Sequence, residues 1–378
     1  MAVVASCRDS NLYAVKPDND TRPRPCLYLF SVLMQSSAST QSFDRPVPAG
    51  PWGWIWILTI LAVLTLGGIL EIAWRTKGHR PMLQDRPDLW AYHRSRVYSS
   101  DGRSLVLLGT SRLHCGLAPT FIREVLPDWK VTQLAVTAGG SAVAALRDLA
   151  QDAEFNGVIW CGIRASDMDW VRRSDQRSWI DYFHKRYSPS DWVGLPIRSA
   201  WDRLLVLNNP ELSLRTTLVE VLKRSRMPRP MAVRFEFDRT RYAQIRAIRW
   251  RGPKRKWEQR LREYRRQQDQ GPSMDPDVWL SEAMRLETYV DLLRERGGKV
   301  IFLRMPSSGV LRDYEEITRP KALFWDRFAN ATQAQTLHYL DVPALRFFDC
   351  PDLSHLDEAD AQRFTQALLE ELDRRGWL

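Results

Sequence analysis

Ser104–Arg112 reads SLVLLGTSR. A short apolar run closed by glycine is the pattern of a strand buried on both faces. Working outward, Ala118–Leu126 reads as a short helix and Lys130–Thr137 (KVTQLAVT) as a strand. Ser141–Gln151 reads as a helix opened by Gly139-Gly140, and Phe155–Ile163 (FNGVIWCGI) as a third strand. After a long insert come a helix over Asp277–Arg296, the pair Gly297-Gly298 and the strand Lys299–Arg304 (KVIFLR). A helix over Leu323–Gln335, a last short strand at Leu345–Phe348 and a closing helix over Glu358–Arg375 complete the series. Strands alternating with helices predict an α/β fold: a mainly parallel sheet covered on both faces. In such sheets the working residues lie at the carboxyl ends of the strands.

Composition agrees with a globular core. Hydrophobic residues make up 44% and charged residues 26%, which excludes a disordered chain. The five cysteines (Cys7, Cys26, Cys115, Cys161, Cys350) are odd in number and include no C-x-x-C pair. Neither a disulfide framework nor a zinc site is readable. Cys161 and Cys350 end separate predicted strands and read as two buried thiols, with mutual approach the alternative. None of the six histidines has an i, i+4 histidine partner, so no metal site is expected; no cofactor is implied either.

Trp52–Leu70 (WGWIWILTILAVLTLGGIL) carries no charge. Nineteen helical residues rise roughly 28 Å, enough to cross a hydrocarbon core. Trp52, Trp54 and Trp56 at one end and Trp74 at the other resemble interfacial belts. Residues 52–74 are therefore read as one transmembrane helix, preceded by a disordered polar leader (1–50) and followed by a juxtamembrane linker (76–103). Met34 offers an alternative start. Arg75, Lys77, Arg80 and Arg86 outnumber Arg45 across the span, which by the positive-inside rule keeps the following domain in the cytoplasm. A long domain weakens that rule.

The net charge of +10 suggests an anionic neighbour. It is concentrated in the insert around 166–275: residues 223–268 hold 17 Lys/Arg against four Asp/Glu. This arm, with Trp250–Gln268 helical, is expected outside the sheet and against an anionic surface. A nucleic-acid role is not expected, because no recognised motif accompanies the charge.

Three residues carry candidate chemistry. Ser111 stands two residues past Gly109 at a strand tip, and Asp352 and His355 lie three apart in the loop before the last helix (DCPDLSHLDEADAQRF). A serine nucleophile needs a base, and the base an orienting acid. Gly-x-Ser and Asp-x-x-His also occur as plain helix caps, so spacing alone leaves both readings open. Leu113 occupies the last glycine position of G-x-S-x-G, which argues against the α/β-hydrolase elbow. His114 reads as a bystander. Arg112 is a candidate for contacting an anionic substrate, with a surface salt bridge as the alternative.

Gly109-Thr110-Ser111 resembles the GDS of the SGNH (GDSL-type) hydrolase family's first block, and Asp352-Leu353-Ser354-His355 resembles its last block, D-x-x-H before a helix. The resemblance covers roughly 104–165 and 298–375. It implies a flavodoxin-like, three-layer, doubly wound sheet over 104–378, with Ser111 as nucleophile, His355 as base and Asp352 as its partner. It also implies an oxyanion-binding glycine, Gly139 or Gly140. The family's third block, G-x-N-D, corresponds to Gly162-Ile163-Arg164-Ala165, so Arg164 stands where an oxyanion-binding Asn is usual. Thr110 replaces the usual Asp. Membrane-tethered members of the family often remove or transfer acetyl groups on envelope polysaccharides. The resemblance thus implies a bacterial esterase or acyltransferase of the cytoplasmic membrane, its domain extracytoplasmic, acting on an envelope glycan. A non-catalytic relative that binds a glycan or an assembly partner is the alternative.

Overall fold

The structure is a computed structural model. It describes residues 49–378 apart from 138–139, 171–175, 210–211, 225–229, 231, 248–250 and 267–273. The leader read over 1–50 thus lies almost wholly outside the described residues. Trp52–Thr76 forms one 25-residue helix with mean hydropathy 2.3, long and apolar enough to cross a membrane. The chain divides into two units, Met1–Ile60 and Leu61–Leu378, and the α/β fold lies in the second.

Five parallel strands form the sheet: β1 (Ser104–Leu108), β2 (Lys130–Gln133), β3 (Val158–Gly162), β6 (Lys299–Arg304) and β7 (Gln335–His338), in the order β2-β1-β3-β6-β7. Two short strands, β4 (Val233–Phe235) and β5 (Arg241–Ala243), pair as a separate antiparallel hairpin. The main order is flavodoxin-like, and it reverses between β1 and β3. Alternation along each strand sends side chains to opposite faces. Val106, Leu108, Ile159, Cys161 and Phe302 join one core with Trp90, Leu146, Leu149, Trp279 and Leu293. Leu105, Leu107, Trp160, Ile301 and Leu303 join the other with Ile122, Phe364, Leu368 and Leu372. These two layers explain the near-continuous apolar strands.

The structure departs from the sequence reading in four places. The helix expected over Leu323–Gln335 runs only over Trp325–Ala331, because the chain from Gln335 pairs with β6 as a strand. Leu345–Phe348 is not a strand; Leu345 is buried without sheet pairing, and Phe347 is exposed. The strand beside β6 at that edge is Gln335–His338, whose QTLH run lacks an apolar signature because Gln335 and Thr336 are only half-buried. Pro87–Arg94, within the stretch read as a linker, is a helix that buries Trp90 and sets Arg94 against Asp148 (2.7 Å) and Asp152 (2.8 Å). The basic arm is helical over Arg251–Arg266 but also contains the β4–β5 hairpin. Between those strands Arg239, at φ 61°, is buried against Asp85 (2.7 Å). A buried cation is tolerated there because its guanidinium also donates to the carbonyls of Gln133 and Ala135.

Candidate active site

β1 ends at Leu108, and a six-residue helix, Ser111–Gly116, begins at once. The turn needs glycine: a Cβ on Gly109 would lie 2.6 Å from the Leu113 Cβ. Gly162, at the tip of β3, meets the same leucine, at 2.9 Å from Cδ1. Leu113 thus wedges between the two strand tips where the strand order reverses. Ser111, first in its helix, stands partly exposed there.

Asp352 and His355 reach this point from the loop before the Glu358–Arg374 helix. Leu353 adopts φ 78°, a left-handed conformation unusual for leucine and one often found at functional turns. The turn folds Asp352 back onto its own loop. Its Oδ1 accepts from the amides of Ser354 (2.9 Å) and His355 (2.7 Å), and its Oδ2 accepts from His355 Nδ1–H (2.6 Å). The Ser111 hydroxyl donates to His355 Nε2 at 2.7 Å. The tautomer with Nδ1 protonated is the one this network requires. Burial disfavours the Asp352 charge, but hydrogen bonds from His355, the His355 charge and the two amides outweigh it, holding the carboxyl below its ordinary range.

The other candidates fall as follows. Gly140 is described and partly exposed; Gly139 lies outside the described residues. Arg164 follows β3, but its guanidinium is engaged with Asp167: Nη2 at 2.6 Å and Nε at 3.0 Å from Oδ1. Arg112 is not a surface residue. It is buried and donates through Nη2 to Glu315 (2.8 Å). Arg304, at the end of β6, donates to the other oxygen of Glu315 (2.6 Å), and Ser307 Oγ joins it (2.7 Å). Glu315, Arg304 and Ser307 escaped the sequence reading. The one available signal was Arg304 at the carboxyl end of an apolar strand. His114 is fully buried and bonds to the Arg239 carbonyl (2.8 Å), and burial pushes it down to about 3. Cys161 and Cys350 are free, buried thiols.

The arrangement is an α/β protein with a serine, a histidine and an aspartate in hydrogen-bonded series at the switch point of a flavodoxin-like sheet. No family model matches the chain, and no curated protein matches it. Among solved structures, the crystal structure of TesA is similar at 12% identity, over 71% of this chain and 98% of that one, with a TM-score of 0.33. At that score the likeness is too distant to inform the chemistry, which rests on the site itself.

Proposed function

We propose that this chain is a membrane-anchored serine ester hydrolase or O-acyltransferase. The observation that carries the reading is His355, hydrogen-bonded at once to Ser111 (2.7 Å) and Asp352 (2.6 Å). Nucleophile, base and orienting acid stand in the order that activates a hydroxyl. Ser111 Oγ adds to the ester carbonyl carbon as its proton passes to His355 Nε2. The C–O bond to the alcohol then breaks, and the alcohol leaves with that proton. Water or a second hydroxyl, deprotonated by His355, adds to the acyl carbonyl; the acyl–Ser111 C–O bond breaks, and His355 returns the proton to Ser111 Oγ. Asp352 holds the imidazole and balances its transient charge. The oxyanion is assigned to the Ser111 amide with Gly139 or Gly140. Arg164, held by Asp167, is the weaker donor.

The substrate class follows from the resemblance to SGNH hydrolases: acyl, foremost acetyl, esters on an envelope polysaccharide. Residues 52–74 are the anchor, the stretch that follows joins the domain through the helix Pro87–Arg94, and the domain stands on the extracytoplasmic side of a bacterial membrane. The basic insert faces an anionic surface.

The test is labelling of the full-length protein with a serine-reactive fluorophosphonate. Labelling lost in Ser111→Ala is expected; an equal signal in both proteins removes Ser111 as nucleophile. A second reading, a glycan- or partner-binding protein that keeps the fold, is favoured by the Arg164–Asp167 pair at the usual oxyanion position. It predicts no labelling of either protein.

A further inference from the structure

Beside the Ser111 site, the ends of β3, β6 and β7 and the Gly309–Thr318 helix line a cavity of about 150 Å³. Six cations line it (Arg112, Arg164, Arg304, Arg312, Arg319 and Lys321) against two carboxylates, Glu315 and Glu316. Part of this charge is spent elsewhere: Arg164 on Asp167, and Lys321 on Asp326 (2.5 Å) and Asp341 (2.8 Å). The deep part is not balanced. Arg112 and Arg304, each 8% exposed, share the single carboxylate of Glu315. Arg112 Nη1 is buried with no hydrogen-bond partner among the described residues. Leaving such a donor unpaired is costly, and a group of this kind calls for an explanation. At the rim, Arg312 is exposed and makes no ion pair among the described residues. The basic Arg251–Arg266 helix supplies Trp257, whose ring lies 5.3 Å from that of Tyr314.

The cavity includes Arg112, the residue next to Ser111. Arg112, Arg164 and Arg304 also line a smaller cleft with Gly162 and Thr110, the neighbour of Ser111. We propose that the larger cavity is a subsite for an oxyanion on the ester substrate, a carboxylate or a phosphate group, with the buried Arg112 and Arg304 as its inner cations and Arg312 at its mouth. Planar guanidinium donors match both anions, and a low-dielectric wall strengthens the contact. That the anion belongs to a substrate rests on the hydrolase reading; the anion site itself rests on its own lining.

The test is isothermal titration calorimetry on the full chain in non-ionic detergent, at constant ionic strength. The probes are inorganic phosphate, glucuronate and, as a neutral control, glucose. Saturable 1:1 binding of phosphate or glucuronate, but not glucose, is expected, and the preferred anion identifies the charged group. Arg112→Lys keeps the charge but loses the guanidinium fork and weakens binding at least five-fold. Arg312→Gln, at an exposed position that cannot disturb the core, does likewise. Absence of binding by both anions, or unchanged affinity in Arg312→Gln, overturns the proposal. Fluorophosphonate labelling without anion binding removes the subsite and leaves the nucleophile; anion binding without labelling does the reverse.

A second inference rests on a different surface. The helices Pro189–Asp202 and Leu214–Arg224 expose Trp192, Val193, Ile197, Trp201, Leu218 and Leu222 by 51–77%. The loop between them docks on the last turns of the apolar helix. Glu71 accepts from the amides of Val206 (2.9 Å) and Leu207 (3.1 Å), Arg75 donates to the Leu204 carbonyl (2.8 Å), and Trp74 packs with Val206 and Leu212. An exposed apolar surface of this kind marks an interaction site. That loop joins the two helices to the end of a helix whose own apolar residues are bare. We infer that these two helices lie in the lipid interface, with Trp192 and Trp201 at headgroup level.

The test uses the full chain in liposomes containing doxyl lipids. A fluorophore is placed at Ile197→Cys, Leu222→Cys, Val63→Cys or Asp128→Cys in a background lacking Cys7 and Cys26. Quenching at 63, 197 and 222 but not at 128 is expected. Quenching at 63 alone overturns the interfacial surface while leaving the span; quenching at 197 and 222 without 63 does the reverse. No quenching at any site overturns both.

Discussion

Replacing Asp352 by Asn removes one charge and one acceptor while keeping the volume. Asn retains Oδ1 for the Ser354 and His355 amides, so the loop keeps its shape. Its NH2 group then faces His355 Nδ1, where Oδ2 stood at 2.6 Å. Two donors cannot share that position, so the imidazole protonates on Nε2 instead. Nε2 then cannot take the Ser111 proton across the 2.7 Å contact. The same exchange of tautomer in Ser-His-Asp hydrolases lowers kcat about 10⁴-fold, roughly 5.5 kcal/mol of barrier. The stability loss is smaller, about 1.5–3 kcal/mol for one charge-assisted hydrogen bond. Its pH dependence is defined. The Asp352 carboxyl is held below its ordinary value, so its contribution is complete above the unfolded carboxyl's pKa of about 4. It is lost as pH falls through the lower folded value. The assay is kcat/KM on p-nitrophenyl acetate, with urea unfolding of both proteins at pH 7 and pH 3. A folded Asp352→Asn protein within ten-fold of wild-type turnover refutes the proton path through His355.

Three further outcomes are expected. Glu315→Gln leaves the buried Arg112 and Arg304 without their shared charge and destabilises the protein by about 3 kcal/mol, read by urea unfolding. Gly109→Ala drives a Cβ to 2.6 Å from Leu113 and costs about 1–3 kcal/mol, with esterase turnover falling further than stability because Ser111 is displaced. His114 and His338 are pushed down by burial to about 3 and about 2, so the folded protein keeps them neutral while the unfolded chain binds protons below about pH 6.5. Stability contributed by their neutral forms is therefore present above pH 6.5 and declines as pH falls from there toward 3, which denaturant titrations at pH 7, 5 and 4 measure.

Local signals carried most of the sheet. β1, β3 and β6 are legible because strands buried on two faces are apolar throughout, and their parallel orientation was implied by the helices between them; their order in the sheet was not. The edge strand Gln335–His338 was not legible, because Gln335 and Thr336 are only half-buried and the run carries one aliphatic residue, Leu337. Leu345–Phe348 looked more strand-like, yet it packs without pairing.

The sequence by itself determined the apolar helix, the α/β class and three residues whose chemistry suits a hydroxyl nucleophile, because each is written in a few adjacent positions. Only the tertiary structure decided that His355 meets Ser111 across 244 positions, that Arg112 turns inward to Glu315 rather than outward to solvent, and that Arg164 is held by Asp167. Those contacts join residues from different strand ends. Which donors meet which acceptors at a sheet's edge depends on how strand tips and loops converge, and no local pattern encodes that convergence.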